Sequence, residues 1–117
     1  MIFVIDNDFL MAKCVKCAVK KLDKEARIFS DAIDAMDGLG DELPEMIFLE
    51  ILLTGPDGFT LLNELVSYSD TARIPIVIVS TIDFSQVDLS NYGVVGVLNK
   101  ETMMPEEIQD YVKKYAK

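Results

Sequence analysis

The chain has 117 residues, half of them apolar, which fits one compact domain spanning 1–117 and excludes a short disulfide-stapled scaffold. Acids outnumber bases twenty to eleven, for a formal net charge of -9, so direct contact with nucleic-acid phosphates or anionic membrane is not expected. Histidine is absent, which removes Ser/His and Cys/His nucleophile pairs, imidazole acid–base chemistry and every His-containing metal site.

Met1 to Ile5 is apolar but runs at once into Asp6 with no basic start, unlike a secretory signal. No apolar run approaches the roughly 20 residues that span a bilayer, so a soluble, cytoplasmic protein is expected. Ile2 to Ile5 reads as a first strand. A helical-period segment follows, with Leu10, Cys14, Cys17, Ala18 and Leu22 predicted as its apolar stripe and Lys13, Lys16, Lys20 and Lys24 opposite. The two cysteines, spaced Cys-Val-Lys-Cys, lack the further ligands a zinc site needs and fall inside a helix rather than at its start. They read as buried, reduced thiols.

Ala26 to Phe29 is a second strand, and Ser30 to Leu39 a second helix, expected to end at Gly38 or Gly40 in a left-handed cap. Met46 to Leu49 is a third strand. Gly55-Pro56-Asp57-Gly58 is a turn, and Asp57 can cap a helix carrying Phe59, Leu61, Leu62, Leu65 and Val66. Ile74 to Val79 and Val94 to Leu98 complete five strands, separated by a short, poorly patterned helix within Asp83 to Tyr92. Pro105 opens a last helix with Glu106 and Glu107 in its first turn, Ile108, Tyr111, Val112 and Tyr115 facing in, and Lys113, Lys114 and Lys117 near its negative end. The strands are nearly continuous in apolar character, as strands buried on both faces are. Strand and helix alternate with short connections, so the expected fold is α/β: a doubly wound five-stranded parallel sheet.

In such a sheet, sites form at the carboxyl ends of the strands. Those ends carry Asp6-Asn7-Asp8, Glu50, Ser80-Thr81 and Asn99-Lys100. Polar residues end strands everywhere because loops are wet, but together these place carboxylates, a hydroxyl and an ammonium in one shallow pocket.

In order and spacing these segments resemble the receiver domain of bacterial response regulators, the CheY-like, flavodoxin-like (βα)5 fold, over essentially the whole chain. Ile2 to Asp8 is similar to the family's first strand and acidic cluster, and Pro44 to Glu50 to the strand leading to its phosphoacceptor. Gly55 with Asp57-Gly58-Phe59 matches the following loop. Ile74 to Ser80 resembles the strand ending in the conserved hydroxyl, and Gly93 to Lys100 the segment ending in the conserved lysine. The resemblance implies an acceptor carboxylate at Glu50, a sensing hydroxyl at Ser80, an ion-pairing ammonium at Lys100, and Mg²⁺ ligands among Asp6, Asn7, Asp8 and Glu50. Phosphoryl transfer needs charge neutralisation and in-line placement, which a hard cation and a lysine supply.

The pattern breaks where the chemistry lies. Glu50 stands at the aspartate position, and its extra methylene moves the carboxylate by about a bond length; errors of ~1 Å at a reacting centre cost ~100-fold. Asn7 removes a carboxylate, so any Mg²⁺ site is expected to be weakened. Thr54 and Glu101 replace the usual prolines, and Val97 the usual aromatic switch residue. Glu50 either reaches Lys100 and mimics an active-like state or hydrates at the rim. Several departures together favour native degeneration over a single engineered phosphomimic.

The expectation is therefore a pseudo-receiver: a two-component (phosphorelay) signalling module, not an enzyme beyond residual Mg²⁺-dependent autophosphorylation. It would bind a kinase or effector through Asp83 to Tyr115, with Phe84, Tyr92, Met103 and Met104 as candidate exposed contacts. The alternative is a Mg²⁺-dependent receiver phosphorylated on a noncanonical carboxylate, Asp8 or Glu50. A flavin binder is disfavoured, because no glycine-rich phosphate loop follows the first strand. Every charged residue between Arg27 and Arg73 is an acid, so the basic residues gather on the first helix, a dock for an acidic surface, and at the carboxyl terminus.

Overall fold

The computed structural model describes every residue except Ser85. Five strands, β1 (Ile2–Ile5), β2 (Ala26–Phe29), β3 (Met46–Leu49), β4 (Ile76–Ser80) and β5 (Val94–Asn99), form one all-parallel sheet in the order β2-β1-β3-β4-β5. Four helices flank it: α1 (Phe9–Lys20), α2 (Ala32–Asp41), α3 (Gly58–Val66) and α4 (Pro105–Tyr115). This is the expected doubly wound α/β architecture. β4 starts two residues later than predicted, just past Pro75, which has no N–H to donate to a ladder.

Period-two alternation divides each strand between two cores. Phe3, Ile5, Ile47, Leu49, Ile76 and Ile78 face α2 and α3, packing on Ala35, Leu61, Leu62 and Leu65. Ile2, Val4, Met46, Phe48, Val77 and Val79 face α1 and α4, packing on Val15, Val19, Ile108 and Val112. α1 and α4 lie side by side, joined where the Gln109 amide donates to the Ala18 carbonyl at 3.2 Å.

Several local expectations require correction. The buried stripe of α1 is Ala12, Val15, Ala18 and Val19, leaving Leu10 77 % exposed and both cysteines, free thiols, on the solvent side. Small Ala and Val side chains let the helix approach the sheet closely, so the larger Leu10 and the thiols fall outside the contact. Gly38 and Gly40 lie inside α2, and neither has positive φ. At Gly38 a Cβ would stand 2.4 Å from the Phe29 ring, so glycine there admits the aromatic and does not end the helix. Between β4 and β5 the described residues form no α-helix, only a 3₁₀ turn at Ser90–Tyr92 closed by left-handed Gly93 (φ 79). The helix predicted within Asp83 to Tyr92 is therefore absent among the described residues; its weak apolar period gave it no face to bury.

Asp57 caps α3 as predicted, and Asp8 and Asp31, which the sequence pattern did not mark as caps, do the same for α1 and α2. The carboxylates of Asp8, Asp31 and Asp57 accept the amides of Met11, Asp34 and Thr60 at 3.1, 2.8 and 3.0 Å. Pro105 is the first residue of α4, and Glu107 accepts the Met104 amide at 2.8 Å. Gly58 lets the first turn of α3 press on the backbone after β3, since a Cβ would meet Ile51 Cα at 2.6 Å and the Glu50 carbonyl at 2.9 Å. Gly58→Ala is expected to lower stability by about 1–3 kcal/mol through overpacking, measured by urea denaturation. An unchanged midpoint would show that this contact is slack.

Candidate functional site

Backbone ladders carry past the ends of the strands and fix the residues beyond them. Asp6 N–H donates to Phe29 O, Glu50 N–H to Ile5 O and Lys100 N–H to Ser80 O, at 2.9, 2.9 and 3.0 Å. The side chains of Asp6, Glu50 and Lys100 thereby converge at the carboxyl end of the sheet. Lys100 Nζ lies 2.9 Å from Asp6 Oδ2, 3.1 Å from Asp6 Oδ1 and 2.9 Å from Glu50 Oε1. The lysine side chain is 8 % exposed and the two acidic side chains 4 % each, so the charges meet largely out of water.

Every carboxylate oxygen in the cluster has a partner. Asp6 Oδ1 also accepts the Asp8 amide at 2.9 Å, and Glu50 Oε2 accepts the Leu52 amide at 3.1 Å. Sequence reasoning missed these two backbone donors. Their signal is the tendency of strand-end polar side chains to accept the N–H two residues on. Ser80 and Asn99 do the same with Ile82 and Glu101, at 3.2 and 2.8 Å.

The side chains of the other predicted residues bond elsewhere. Ser80 Oγ is fully buried and turned to its own loop, where it takes the Ile82 amide. Asp8 is exposed and its carboxylate caps α1. Asn7 is exposed, with its amide 3.5 Å from Thr54 Oγ1. Glu101 donates its N–H to Asn99, a bond that proline at this position could not make. Among the described residues, no group of three or more Cys, Asp or Glu side chains is placed to hold a metal ion.

Burial pushes the Asp6 carboxyl above its ordinary 3.8, with the nearby Glu50 adding to the rise and Lys100 and the Asp8 amide opposing it. Burial alone would lower the Lys100 ammonium, but its contacts with Glu50 and Asp6 outweigh that and hold it above 10.5. The contribution of Lys100 to stability is therefore fully present below its ordinary value and lost as pH rises through the higher folded value. Asp6 has the same sign: its raised value favours the fold below 3.8, and that contribution is lost as pH rises through the folded value.

Toward the fourth and fifth strands, the exposed apolar residues differ from those predicted. Phe84 is buried, Tyr92 and Met103 are partly buried against the two cores, and only Met104 is open, at 57 %. Ile82, Val87 and Val97 are the other large apolar side chains exposed there. Phe84 turns inward to meet Phe59 edge-on, 6.2 Å between ring centroids.

The family model for the response regulator receiver domain matches residues 2–113. The chain belongs to that family. A search of curated proteins finds no match. Among solved structures, a response regulator from Chloroflexus aurantiacus is 23 % identical with a TM-score of 0.86, covering 97 % of this chain and 94 % of that one. The receiver domain of NtrX from Brucella abortus is 22 % identical with a TM-score of 0.86, covering 98 % and 97 %. The receiver domain of a sensor histidine kinase from Pseudomonas aeruginosa, 15 % identical with a TM-score of 0.83 over 97 % and 94 %, was solved with a magnesium ion in its active-site cleft. The receiver therefore has the CheY-like fold expected from its strand-end motifs. Receiver domains are signalling modules of two-component systems that interact with kinases or effector domains and typically bind Mg²⁺. No helix among the described residues is long and apolar enough to cross a membrane.

Removing the ammonium leaves two buried carboxylates without their shared cation. Lys100→Met is expected to cost about 3–5 kcal/mol at neutral pH by urea denaturation, because an unpaired buried charge is worse than no charge. The deficit should shrink as pH falls, because the Asp6 carboxyl, already raised by burial, takes up a proton. A deficit independent of pH would place the loss in packing and not in charge.

Proposed function

We propose that this receiver is a partner-binding module whose signalling state does not depend on aspartyl phosphorylation. One observation carries the reading: the Lys100 ammonium bridges Asp6 and Glu50 with no phosphoryl group needed to hold it. Glu50, at the position where the family places its acceptor aspartate, reaches the lysine through its additional methylene. A charge-assisted contact of this kind substitutes permanently for a transient phosphoryl–lysine contact. The exposed Val97 at the aromatic switch position and the inward-turned Ser80 are in keeping with a read-out that no longer tracks a phosphoryl group.

The donor set present does not fit a resident Mg²⁺. A cation between Asp6 and Glu50 would have to displace the Lys100 ammonium, Asn7 offers no charge, and the Asp8 carboxylate is committed to the helix cap. Mg²⁺ binding is accordingly weakened, and no enzymatic step is assigned to the chain. The partner, a kinase or an effector domain, would meet the face running from Asp83 to Tyr115, where Val87, Val97 and Met104 are exposed. The net charge of -9 argues against direct nucleic-acid binding, and the module, one domain over 1–117, would work in the cytoplasm.

Incubation with acetyl phosphate and Mg²⁺ should leave the intact mass unchanged. Glu50→Asp alone should restore little phosphorylation, and Glu50→Asp with Asn7→Asp distinctly more. A stable adduct on the unmodified protein would overturn the proposal in favour of a noncanonical acceptor, Asp8 or Glu50.

A further inference from the structure

The two thiols of the chain lie far from strand-end chemistry, on the solvent side of α1. Cys14 and Cys17 are both exposed and both free. Residues three apart on a helix are neighbours on one face, with Cα atoms about 5 Å apart. That separation lies within the roughly 4.4–6.8 Å that a disulfide spans, although the Cβ atoms must draw together by about 1–2 Å. Cys17 stands in the last turn of α1, where a helix yields most readily, and its carbonyl accepts the Lys21 amide at a long 3.3 Å.

The surroundings of the two thiols differ. Cys17 lines a groove of about 590 Å³ together with Lys13, Lys16, Lys20 and Arg27, and Cys14 is outside that lining. Among the described residues no acid lines the groove, although the chain carries nine more acids than bases. Lys13 and Lys20, four residues before Cys17 and three after it, share its side of the helix. Arg27 is paired with Glu42 at 3.2 Å, but Lys13, Lys16 and Lys20 form no ion pair among the described residues. The residue four before Cys14 is Leu10, an exposed apolar side chain in place of a lysine. Fixed positive charge around an exposed thiol raises the local concentration of an anionic reagent and repels a cationic one.

We propose that Cys14 and Cys17 form a dithiol that is oxidised by an anionic low-molecular-weight disulfide, with Cys17 attacked first and Cys14 resolving. The Cys17 thiolate attacks one sulfur of the reagent; the reagent's S–S bond breaks, a mixed disulfide forms on Cys17, and one small thiolate leaves. The Cys14 thiolate then attacks the Cys17 sulfur, the mixed bond breaks, the Cys14–Cys17 bond forms, and the second small thiolate leaves. The two protein thiols lose two electrons to the reagent, and their two protons pass to the two departing thiolates. The lysines hold the anionic reagent over Cys17 during the first step. This site shares no residue with the ion-pair cluster, so it stands apart from the phosphorylation reading.

Oxidised glutathione is a suitable anionic probe, with cystamine as a cationic and hydroxyethyl disulfide as a neutral counterpart, each followed by intact mass and peptide mapping. The end product expected with oxidised glutathione is an internal disulfide, the chain lighter by two hydrogens and carrying no glutathione. Cys14→Ser should stop at one glutathione on Cys17, and Cys17→Ser should react about tenfold more slowly. Added salt should slow the reaction with oxidised glutathione, quicken that with cystamine and leave hydroxyethyl disulfide unchanged. Lys13→Gln, Lys16→Gln and Lys20→Gln together should slow oxidised glutathione about tenfold relative to hydroxyethyl disulfide. The salt series uses the unaltered protein, so the test survives if the triple variant folds poorly. A lasting mixed disulfide on the unaltered chain, a disulfide-linked dimer as the main product, first reaction at Cys14, or the same salt response for all three reagents would each overturn the proposal.

Discussion

A single buried ammonium sets the geometry of the carboxyl end of this sheet. Lys100 follows β5, Asp6 follows β1 and Glu50 follows β3, so one side chain ties three strand ends that are up to 94 residues apart in sequence. The arrangement is self-consistent only because the strand order places β1 beside β3, which brings the two carboxylates side by side. Two like charges in a poorly solvated place would separate without a cation between them. With one, each acid exchanges water for an ammonium and a backbone amide, which offsets much of the desolvation cost. The desolvation left uncompensated is visible in the raised Asp6 carboxyl, to which burial contributes most and the Glu50 charge least.

That economy bears on what the module can do. A site that waits for a phosphoryl group must leave its lysine and metal ligands available. Here the lysine is already held from both sides, and every oxygen of Asp6 and Glu50 has a donor. On the proposed reading the family's framework is kept while its chemistry is replaced by a permanent ion pair. What remains for such a domain is recognition, and recognition is a matter of the exposed surfaces: apolar side chains at one end of the sheet, lysines of α1 at the other.

The parts of the fold legible in the sequence are those decided locally. Asp57 became a helix cap, Pro105 opened its helix, and continuous apolar runs became doubly buried strands. The misses share a cause, which is that burial depends on what approaches from outside the segment. On α1 the sequence pattern points to Leu10, Cys14, Cys17, Ala18 and Leu22, and only packing against the sheet shows that Ala12, Val15, Ala18 and Val19 form the buried stripe instead. Gly38 looked like a terminator because the incoming Phe29 ring belongs to another element. Phe84 looked like surface for the same reason, its partner Phe59 lying on α3.

The candidate site divides along the same line. Turn formation at a strand end is local: Asp6, Glu50, Ser80 and Asn99 each accept the amide two residues on, whatever function the site has. Polar residues at these positions thus have a structural reason to exist before any chemistry is assigned to them. What distinguishes Asp6 and Glu50 from Ser80 and Asn99 is the second contact, to Lys100, and that contact exists only in the folded sheet. Sequence pattern could place an ammonium near two carboxylates through strand order, but it could not say that Ser80 would stay with its own loop. The hydroxyl's choice follows from reach: a short side chain on a fully buried strand end finds the Ile82 amide at 3.2 Å, whereas the long glutamate and lysine side chains can cross between strands. The extra methylene of Glu50 belongs to that same reach, whereas Asp6, no longer than Asn99, joins the cluster because the Lys100 side chain comes to it.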